Sequence, residues 1–200
     1  MATALARGFV NAKLVEPRSI TASDPSPQAR EQFGVDVPGA KIVAANMDVV
    51  SQSDVVILAV KPQQMAEALA EIRGTIRSET LVVSIAAGVT LARLSAGLPP
   101  KQRIIRVMPN TPCLIGRGAS AYSLGSHATA EDSQQVAELL SAVGVAHQVP
   151  EEQLDAVTGL SGSGPAFAYT MIEVLSESGV AMGLPAALAA DLAVRTVAGA

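Results

Sequence analysis

Two apolar runs without polar alternation restrict the fold of this chain more than any other feature. Val55 to Val60 is a run of six apolar residues, and Thr80 to Gly88 holds a second run that one serine interrupts. A strand with one face in water alternates apolar and polar residues, so these runs indicate strands that are buried on both faces, as in a parallel sheet covered by helices. A predicted helix follows each run, from Gln63 to Arg73 and from Thr90 to Ala96.

The alternation of strand and helix continues along most of the chain. Further strands are predicted at Ser19 to Ala22, Arg103 to Met108, Gly118 to Gly125 and Ala146 to Val149, with one or two short extended segments from Val35 to Val43. Thr129 to Asp132 resembles a capping box and predicts the start of a helix to Val143, and only helices are predicted after Pro150. This order predicts a doubly wound parallel α/β domain over residues 1–150, followed by an all-helical domain over residues 151–200.

Composition narrows the class of protein further. Hydrophobic residues make up 49% of the chain but aromatic residues only 2%, so the core consists of Ala, Val, Leu and Ile. The net charge of −4 argues against binding to nucleic acid or to an anionic membrane surface. The single cysteine, Cys113, allows no internal disulfide and fits a reducing, cytoplasmic location. The two histidines have no metal-site spacing, so no metal is expected.

Several predicted strands end in residues that suit a ligand, because ligands of open α/β sheets bind at the carboxyl ends of the strands. Lys61 ends one buried strand, and Ala86, Ala87 and Gly88 end the next. The small residues would let a flat ligand lie against the backbone, whereas Lys61 is also consistent with a solvated strand end. Asn110 ends a third strand, where its amide either faces a ligand or belongs to a rigid turn between prolines.

The turn after the first predicted strand holds Ser23, Asp24 and Ser26. At this position a dinucleotide-binding fold recognises ribose hydroxyls or a 2′-phosphate. A helix N-cap is an equally good interpretation of Asp24.

Gly159 to Pro165 contains three glycines and two serines, and a helix is predicted directly after it. We expect a flexible polar turn, with Ser163 as the N-cap and Pro165 in the first turn of the helix. Free backbone N–H groups there would suit an anion or a carboxylate. The alternative is a tight connection between domains with close helix packing.

Five stretches together resemble pyrroline-5-carboxylate reductase: Asp54 to Pro62, Val82 to Val89, Arg106 to Pro112, Asp155 to Ala166 and Gly179 to Pro185. The resemblance implies a Rossmann-like fold and an oxidoreductase of proline biosynthesis. The implied reaction reduces the C=N bond of 1-pyrroline-5-carboxylate with a hydride from NADPH or NADH to give L-proline. The family resemblance also implies a homo-oligomer.

The resemblance also assigns site residues. The implied cofactor contacts are Ser23, Asp24, Ser26, Asn46, Val60, Lys61, Pro62, Ala86, Ala87, Gly88 and Asn110. The implied substrate contacts are Ser161, Gly162, Ser163 and Gly164. No catalytic residue is assigned. Asp24 favours NADH by the usual ribose rule, whereas Arg18 or Arg30 with the nearby serines would accept the 2′-phosphate of NADPH.

The chain also departs from the family pattern. The family opens with a strand and a Gly-x-Gly-x-x-Ala turn, whereas this sequence begins at Met1 near the end of that turn and stops at Ala200, before a Ser/Gly/Thr-rich substrate loop. We therefore expect a gap in the sheet between the strands at Ser19 and at Asp54, with weak cofactor binding and little turnover. Two alternatives stay open: a non-catalytic fragment, and another NAD(P)-dependent dehydrogenase on the same fold.

Overall fold

Seven strands form two separate sheets in a computed structural model that describes residues 1–200. Strands β1 (Thr21–Ser23) and β2 (Lys41–Val43) form a parallel pair. The larger sheet has the order β3-β4-β5-β6-β7, with β3 at Val55–Leu58, β4 at Leu81–Ser84, β5 at Arg103–Met108, β6 at Gly118–Leu124 and β7 at Gly144–Gln148.

Nine α-helices connect and follow these strands. They are α1 (Ala2–Asn11), α2 (Pro27–Asp36), α3 (Asn46–Val50), α4 (Met65–Ile72), α5 (Leu91–Gly97), α6 (Ala130–Ser141), α7 (Leu154–Val157), α8 (Gly164–Ala181) and α9 (Ala186–Gly199). The fold is therefore the predicted Rossmann-like α/β arrangement with helices alone after Pro150. None of these helices is long and apolar enough to cross a membrane.

One strand pair differs from a purely parallel sheet. Strands β3, β4 and β5 are parallel, whereas β6 is antiparallel to β5, and β7 is parallel to β6. The connection from Pro109 to Arg117 is too short for a parallel crossover, which takes about a dozen residues or more. It instead folds as a 3₁₀ turn at Thr111–Ile115, and Gly116 ends this turn in the left-handed conformation.

Apolar clusters cover both faces of the larger sheet, and this explains the runs without alternation. One cluster includes Val56, Leu58, Leu69, Val82, Leu94 and Ile104. The other includes Leu5, Phe9, Val83, Ile105, Tyr122 and Leu140. Consecutive residues of β4, Val82 and Val83, thus enter opposite cores, so each residue of this strand is buried whichever way it points.

The two sheets share no backbone ladder, and the division lies where the sequence predicted a gap. Strand β1 pairs only with β2, and β3 pairs only with β4, so each has one unpaired edge. Helix α3 contacts β1, β2 and α4 and thereby joins the two sheets.

Sequence-predicted helix starts agree with the structure at two sites. The Thr129 hydroxyl accepts the N–H of Asp132, whose carboxylate accepts the N–H of Thr129, as in a capping box. Thr90 caps α5 by accepting the N–H of Arg93. The extended structure predicted from Val35 onward is wrong at its start, because α2 continues to Asp36.

The close pairing of β6 and β7 yields a test of the fold. A Cβ atom at Gly144 would lie 1.9 Å from the carbonyl oxygen of Gly118, and the φ angle of Gly144 is +152°. We expect Gly144→Ala to lower the free energy of unfolding by about 3 kcal/mol, measured by urea denaturation. Gly74→Ala is the matched control, because no atom lies within 4 Å of a Cβ there. Equal losses in the two variants would contradict the expectation.

Candidate functional site

The carboxyl ends of the parallel strands β3, β4 and β5 lie along one edge of the larger sheet. The segments that follow them are Ala59–Pro62, Ile85–Gly88 and Pro109–Asn110, and we call these segments together the carboxyl edge. Ala87 and Gly88 are exposed, Gly88 has a φ angle of +73°, and no atom lies within 4 Å of a Cβ placed on it. The edge therefore offers an open surface of backbone and small side chains.

Val60, Lys61 and Pro62 occupy this edge in different ways. Val60 is half-buried and packs on the apolar cluster beneath it. Lys61 is exposed and forms no ion pair, and Pro62 begins a short 3₁₀ turn before α4. The Lys61 ammonium group is thus open to an anion, and its exposure fits a solvated strand end equally well.

Asn110 links the carboxyl edge to the helical part of the chain. It is 8% exposed, its Oδ1 accepts the N–H of Ala119 at 2.9 Å, and its Nδ2 donates to the carbonyl of Ser161 at 3.0 Å. A predicted cofactor residue and a predicted substrate residue are therefore in direct contact. The amide has two hydrogens, and Ser161 takes one of them.

The stretch from Gly159 to Gly164 is not the flexible turn that its composition predicted. Thr158–Gly162 forms a π-helical turn between α7 and α8, so the chain stays helical through it. The N–H of Ser163 donates to the carbonyl of Thr158 at 2.8 Å, as the wider turn requires. π-Helical turns of this kind are frequent at functional sites.

Hydroxyl groups and close packing explain how this Gly/Ser stretch stays helical. The hydroxyl of Thr158 donates to the carbonyl of Leu154, and that of Ser161 donates to the carbonyl of Val157. A Cβ at Gly162 would lie 2.8 Å from the methyl group at the end of the Met108 side chain, so the turn packs closely on β5.

The expectation of an anion site on free N–H groups is only partly met. Pro165 lies in the first turn of α8 and Ser163 lies at its N-cap position, as predicted. However, the Ser163 side chain makes no capping hydrogen bond, and its N–H is used by the π-helical turn. The bonded N–H groups leave this segment with fewer free donors than an ordinary helix start.

Two predicted cofactor residues meet next to β1. The Ser23 hydroxyl donates to Asn46 Oδ1 at 2.7 Å, while the Asn46 backbone N–H and Nδ2 donate to the two carboxylate oxygens of Glu71 at 3.1 and 2.6 Å. Glu71 therefore orients the Asn46 amide. No local pattern in the sequence indicates this role, because Glu71 lies on the exposed face of α4 and contacts Asn46 only through tertiary structure.

Asp24 lies in the turn after β1, but it is not the N-cap of α2 that one interpretation of the sequence suggested. Ser26 is the N-cap of α2, since its hydroxyl accepts the N–H of Ala29 at 3.3 Å. Asp24 Oδ1 instead accepts the N–H of Ser26 at 2.8 Å. The Arg30 guanidinium donates to the carbonyls of Asp24 and Pro25, so this cation lies at the turn, whereas Arg18 pairs with Glu16.

The carboxyl groups with a clearly lowered pKa lie away from this edge. Backbone N–H hydrogen bonds are the main reason that the pKa values of Glu79 and Glu131 are below the usual range. Glu79 precedes β4, and Glu131 lies in the first turn of α6, so both are at the opposite edge of the sheet. Neither group therefore serves as a proton donor at the carboxyl edge.

A doubly wound sheet with an open, glycine-containing carboxyl edge is typical of dinucleotide-binding proteins. Comparison with known proteins narrows this class. Residues 1–88 match the family described as NADP oxidoreductase, coenzyme F420-dependent, and residues 151–200 match that described as pyrroline-5-carboxylate reductase dimerisation.

Individual relatives give the same result over the whole chain. It is 43% identical to pyrroline-5-carboxylate reductase of Methanosarcina acetivorans, covering 100% of this chain and 74% of the relative. Identity to pyrroline-5-carboxylate reductase 2 of Macaca fascicularis is 41%, covering all of this chain and 63% of that protein. The chain belongs to the pyrroline-5-carboxylate reductase family.

Solved structures show the same relationship. The Coxiella burnetii pyrroline-5-carboxylate reductase superposes with a TM-score of 0.90 at 30% identity, over 99% of this chain and 73% of the other. The Plasmodium falciparum pyrroline carboxylate reductase, solved with NADP bound, gives a TM-score of 0.87 at 30% identity, over 98% and 71%.

The bonds of Asn110 can be tested without any ligand. We expect Asn110→Ala to lower the free energy of unfolding by about 1–3 kcal/mol, because the Ala119 N–H and the Ser161 carbonyl each lose a partner. Asn11→Ala is the control, since Asn11 is exposed at the end of α1. Urea denaturation of both variants gives the comparison, and an Asn110 variant as stable as the Asn11 variant would refute the proposed link.

Proposed function

We propose that this protein reduces the C=N bond of 1-pyrroline-5-carboxylate with NADPH to give L-proline, the last step of proline biosynthesis. The observation that carries the proposal is the contact between Asn110 and Ser161, which brings the carboxyl edge and the π-helical turn together. Reduction of an imine needs a cofactor and a substrate held side by side, and it needs neither a metal nor a covalent nucleophile.

The carboxyl edge suits a dinucleotide. Exposed Ala87 and Gly88 leave room for a flat ring against the backbone, and Asn110 follows at the end of the adjacent strand. At the other end, Ser23 and Asn46 lie together beside the turn that holds Arg30. When bound, the cofactor supplies the hydride.

NADPH is favoured over NADH at the ribose end. The Arg30 guanidinium lies at the turn of Asp24 and Ser26, where a 2′-phosphate would be recognised. The Plasmodium falciparum relative was solved with NADP bound, which supports the same choice.

The π-helical turn and the start of α8 are proposed to hold the imine. Ser161, Gly162, Ser163 and Gly164 lie at the end of this turn, and Gly162 packs on Met108 of β5. The turn is thereby held against the strand whose end carries Asn110. Residues 1–150 would then serve the cofactor, and residues 151–200 the substrate and assembly.

The direct test is NADPH oxidation with 1-pyrroline-5-carboxylate, with L-proline measured as the product. Because β1 and β3 each have an unpaired edge, we propose that the 200 residues alone have low activity. A chimera that adds the unmatched terminal segments of the Methanosarcina acetivorans relative should be active, and that relative itself is the positive control. An inactive chimera beside an active relative would contradict the substrate assignment.

Ala87 provides a test of the cofactor surface. A leucine at this exposed position would fill the space proposed for the ring, so we expect NADPH affinity of the chimera to fall by about tenfold or more. Ala70→Leu is the matched control on the exposed face of α4. Fluorescence titration measures both affinities, and equal affinities would place the cofactor elsewhere.

We further propose that the protein is a cytoplasmic homo-oligomer formed through α8 and α9. Exposed apolar side chains on these helices are Phe167, Tyr169, Met171, Val174, Leu175, Val180, Leu188, Leu192 and Val194. A monomeric protein seldom exposes so many apolar side chains on neighbouring helices. The matching dimerisation family over residues 151–200 supports this surface.

A charge on this surface should prevent assembly. Met171 is 58% exposed, so Met171→Glu is not expected to disturb the fold of one subunit, but it would bury a carboxylate in the interface. We expect sedimentation velocity to show a smaller species than for the unchanged protein. Val35→Glu, at an exposed position on α2, is the control. If the Met171 variant assembles as the control does, the proposed surface is wrong.

A further inference from the structure

Arg106 is a charged residue in the middle of a buried strand. Its side chain is only 5% exposed, and its neighbours Ile105 and Val107 in β5 belong to the apolar core. A guanidinium group in such surroundings requires paired acceptors, since an unpaired buried charge is strongly destabilising. The acceptors of the Arg106 guanidinium therefore indicate its structural role.

Both acceptors come from the segment that follows β7. Arg106 Nη1 donates to Glu151 Oε1 at 3.0 Å, and its Nη2 lies 3.5 Å from Asp155 Oδ1. The same Glu151 oxygen accepts the N–H of Leu91 at 2.6 Å. One carboxylate oxygen thus joins β5, the start of α5 and the first turn of the helical segment.

Alternate residues of β5 contact the helical segment in turn. Arg106 binds Glu151, Met108 packs against Gly162, and Asn110, just beyond the strand, binds Ser161. The Arg106–Glu151 pair is therefore the first of three contacts that hold this segment along the strand. This pair thus sets the position along β5 at which the helical segment starts, and thereby the position of the π-helical turn relative to the carboxyl edge.

We infer that Arg106 and Glu151 are positioning residues, which set the distance between the π-helical turn and the carboxyl edge without touching a ligand. For turnover, this inference rests on the proposed function. Hydride transfer needs the reacting atoms about 3–3.5 Å apart, and a displacement of about 1 Å can lower the rate by about a hundredfold. Loss of the pair should therefore lower kcat more than it lowers cofactor affinity.

The test compares the variants Arg106→Gln and Glu151→Gln with the unchanged protein. Arg73→Gln is the control, because Arg73 is an exposed arginine that donates to the Ala96 carbonyl at the other end of α5. Hydrogen–deuterium exchange on the 200-residue chain reports the order of Thr158–Gly162. We expect exchange there to be about fivefold faster or more in both variants, with β4 unchanged. In the active chimera, kcat should fall about tenfold or more while the Kd for NADPH stays within about twofold.

The two readouts separate the possible failures. If the unchanged chimera reduces no imine, the proposed function fails, while exchange still decides the role of the pair. If Arg106→Gln does not fold, Glu151→Gln tests the inference alone, because glutamine keeps an acceptor for the Leu91 N–H. Arg106→Lys keeps the positive charge, so its kcat should lie between those of Arg106→Gln and the unchanged chimera. Unchanged exchange in Thr158–Gly162, or a uniform increase across the whole chain, would overturn the inference.

Discussion

Burial of β3, β4 and β5 on both faces is the constraint from which the rest of the molecule follows. Apolar clusters lie on either side of these strands, so a polar side chain inside the sheet has no access to water. Burying an unpaired polar group costs about 1–3 kcal/mol, a large part of a typical domain stability of about 5–15 kcal/mol. Chemistry on this sheet is therefore confined to the ends of the strands, where the backbone leaves the core.

Two of the polar groups that enter the core define the geometry of the site. Arg106 pairs with Glu151, and the Asn110 amide accepts the N–H of Ala119 and donates to the carbonyl of Ser161. The bonds to Glu151 and to Ser161 join segments that are far apart in sequence. Hydrophobic contacts are tolerant of small shifts, whereas a hydrogen bond specifies distance and angle. The apolar core thus supplies most of the stabilisation, and these few polar contacts fix the relative places of the strand ends and the helical segment.

The sequence predicted elements well wherever local chemistry decides the structure. The bounds of β5 agree with the prediction, Thr90 and Thr129 cap their helices, and Pro150 precedes the all-helical segment. The sheet division was also predicted, although from family resemblance rather than from the residues alone. Pattern and capping residues are local signals, so a single sequence is sufficient to read them.

Most of the failures concern contacts between distant residues. Gly159 to Gly164 was expected to be flexible because of its composition, but packing on Met108 and hydroxyl bonds to the preceding turn hold it in a π-helix. Glu71 and Glu151 look like ordinary surface carboxylates in the sequence. Arg106 was the one detectable signal, since an arginine between apolar residues of a buried strand must find a partner. The sequence shows that such a partner is needed, but only the fold identifies it.

The two parts of the candidate site differ in how many contacts support them, because the smaller sheet shares no backbone ladder with the larger one. The carboxyl edge of β3, β4 and β5 is supported by backbone ladders and two apolar clusters. Strands β1 and β2 have no ladder to the larger sheet, and hydrogen bonds linking Ser23, Asn46 and Glu71 connect them through α3 to α4. An exposed hydrogen bond contributes only about 0.5–1.5 kcal/mol. The proposed ribose end of the cofactor surface, at Ser23 and Asn46, is therefore joined to the carboxyl edge by a few side chains. A dinucleotide that contacts both regions would itself add to the stability of this junction.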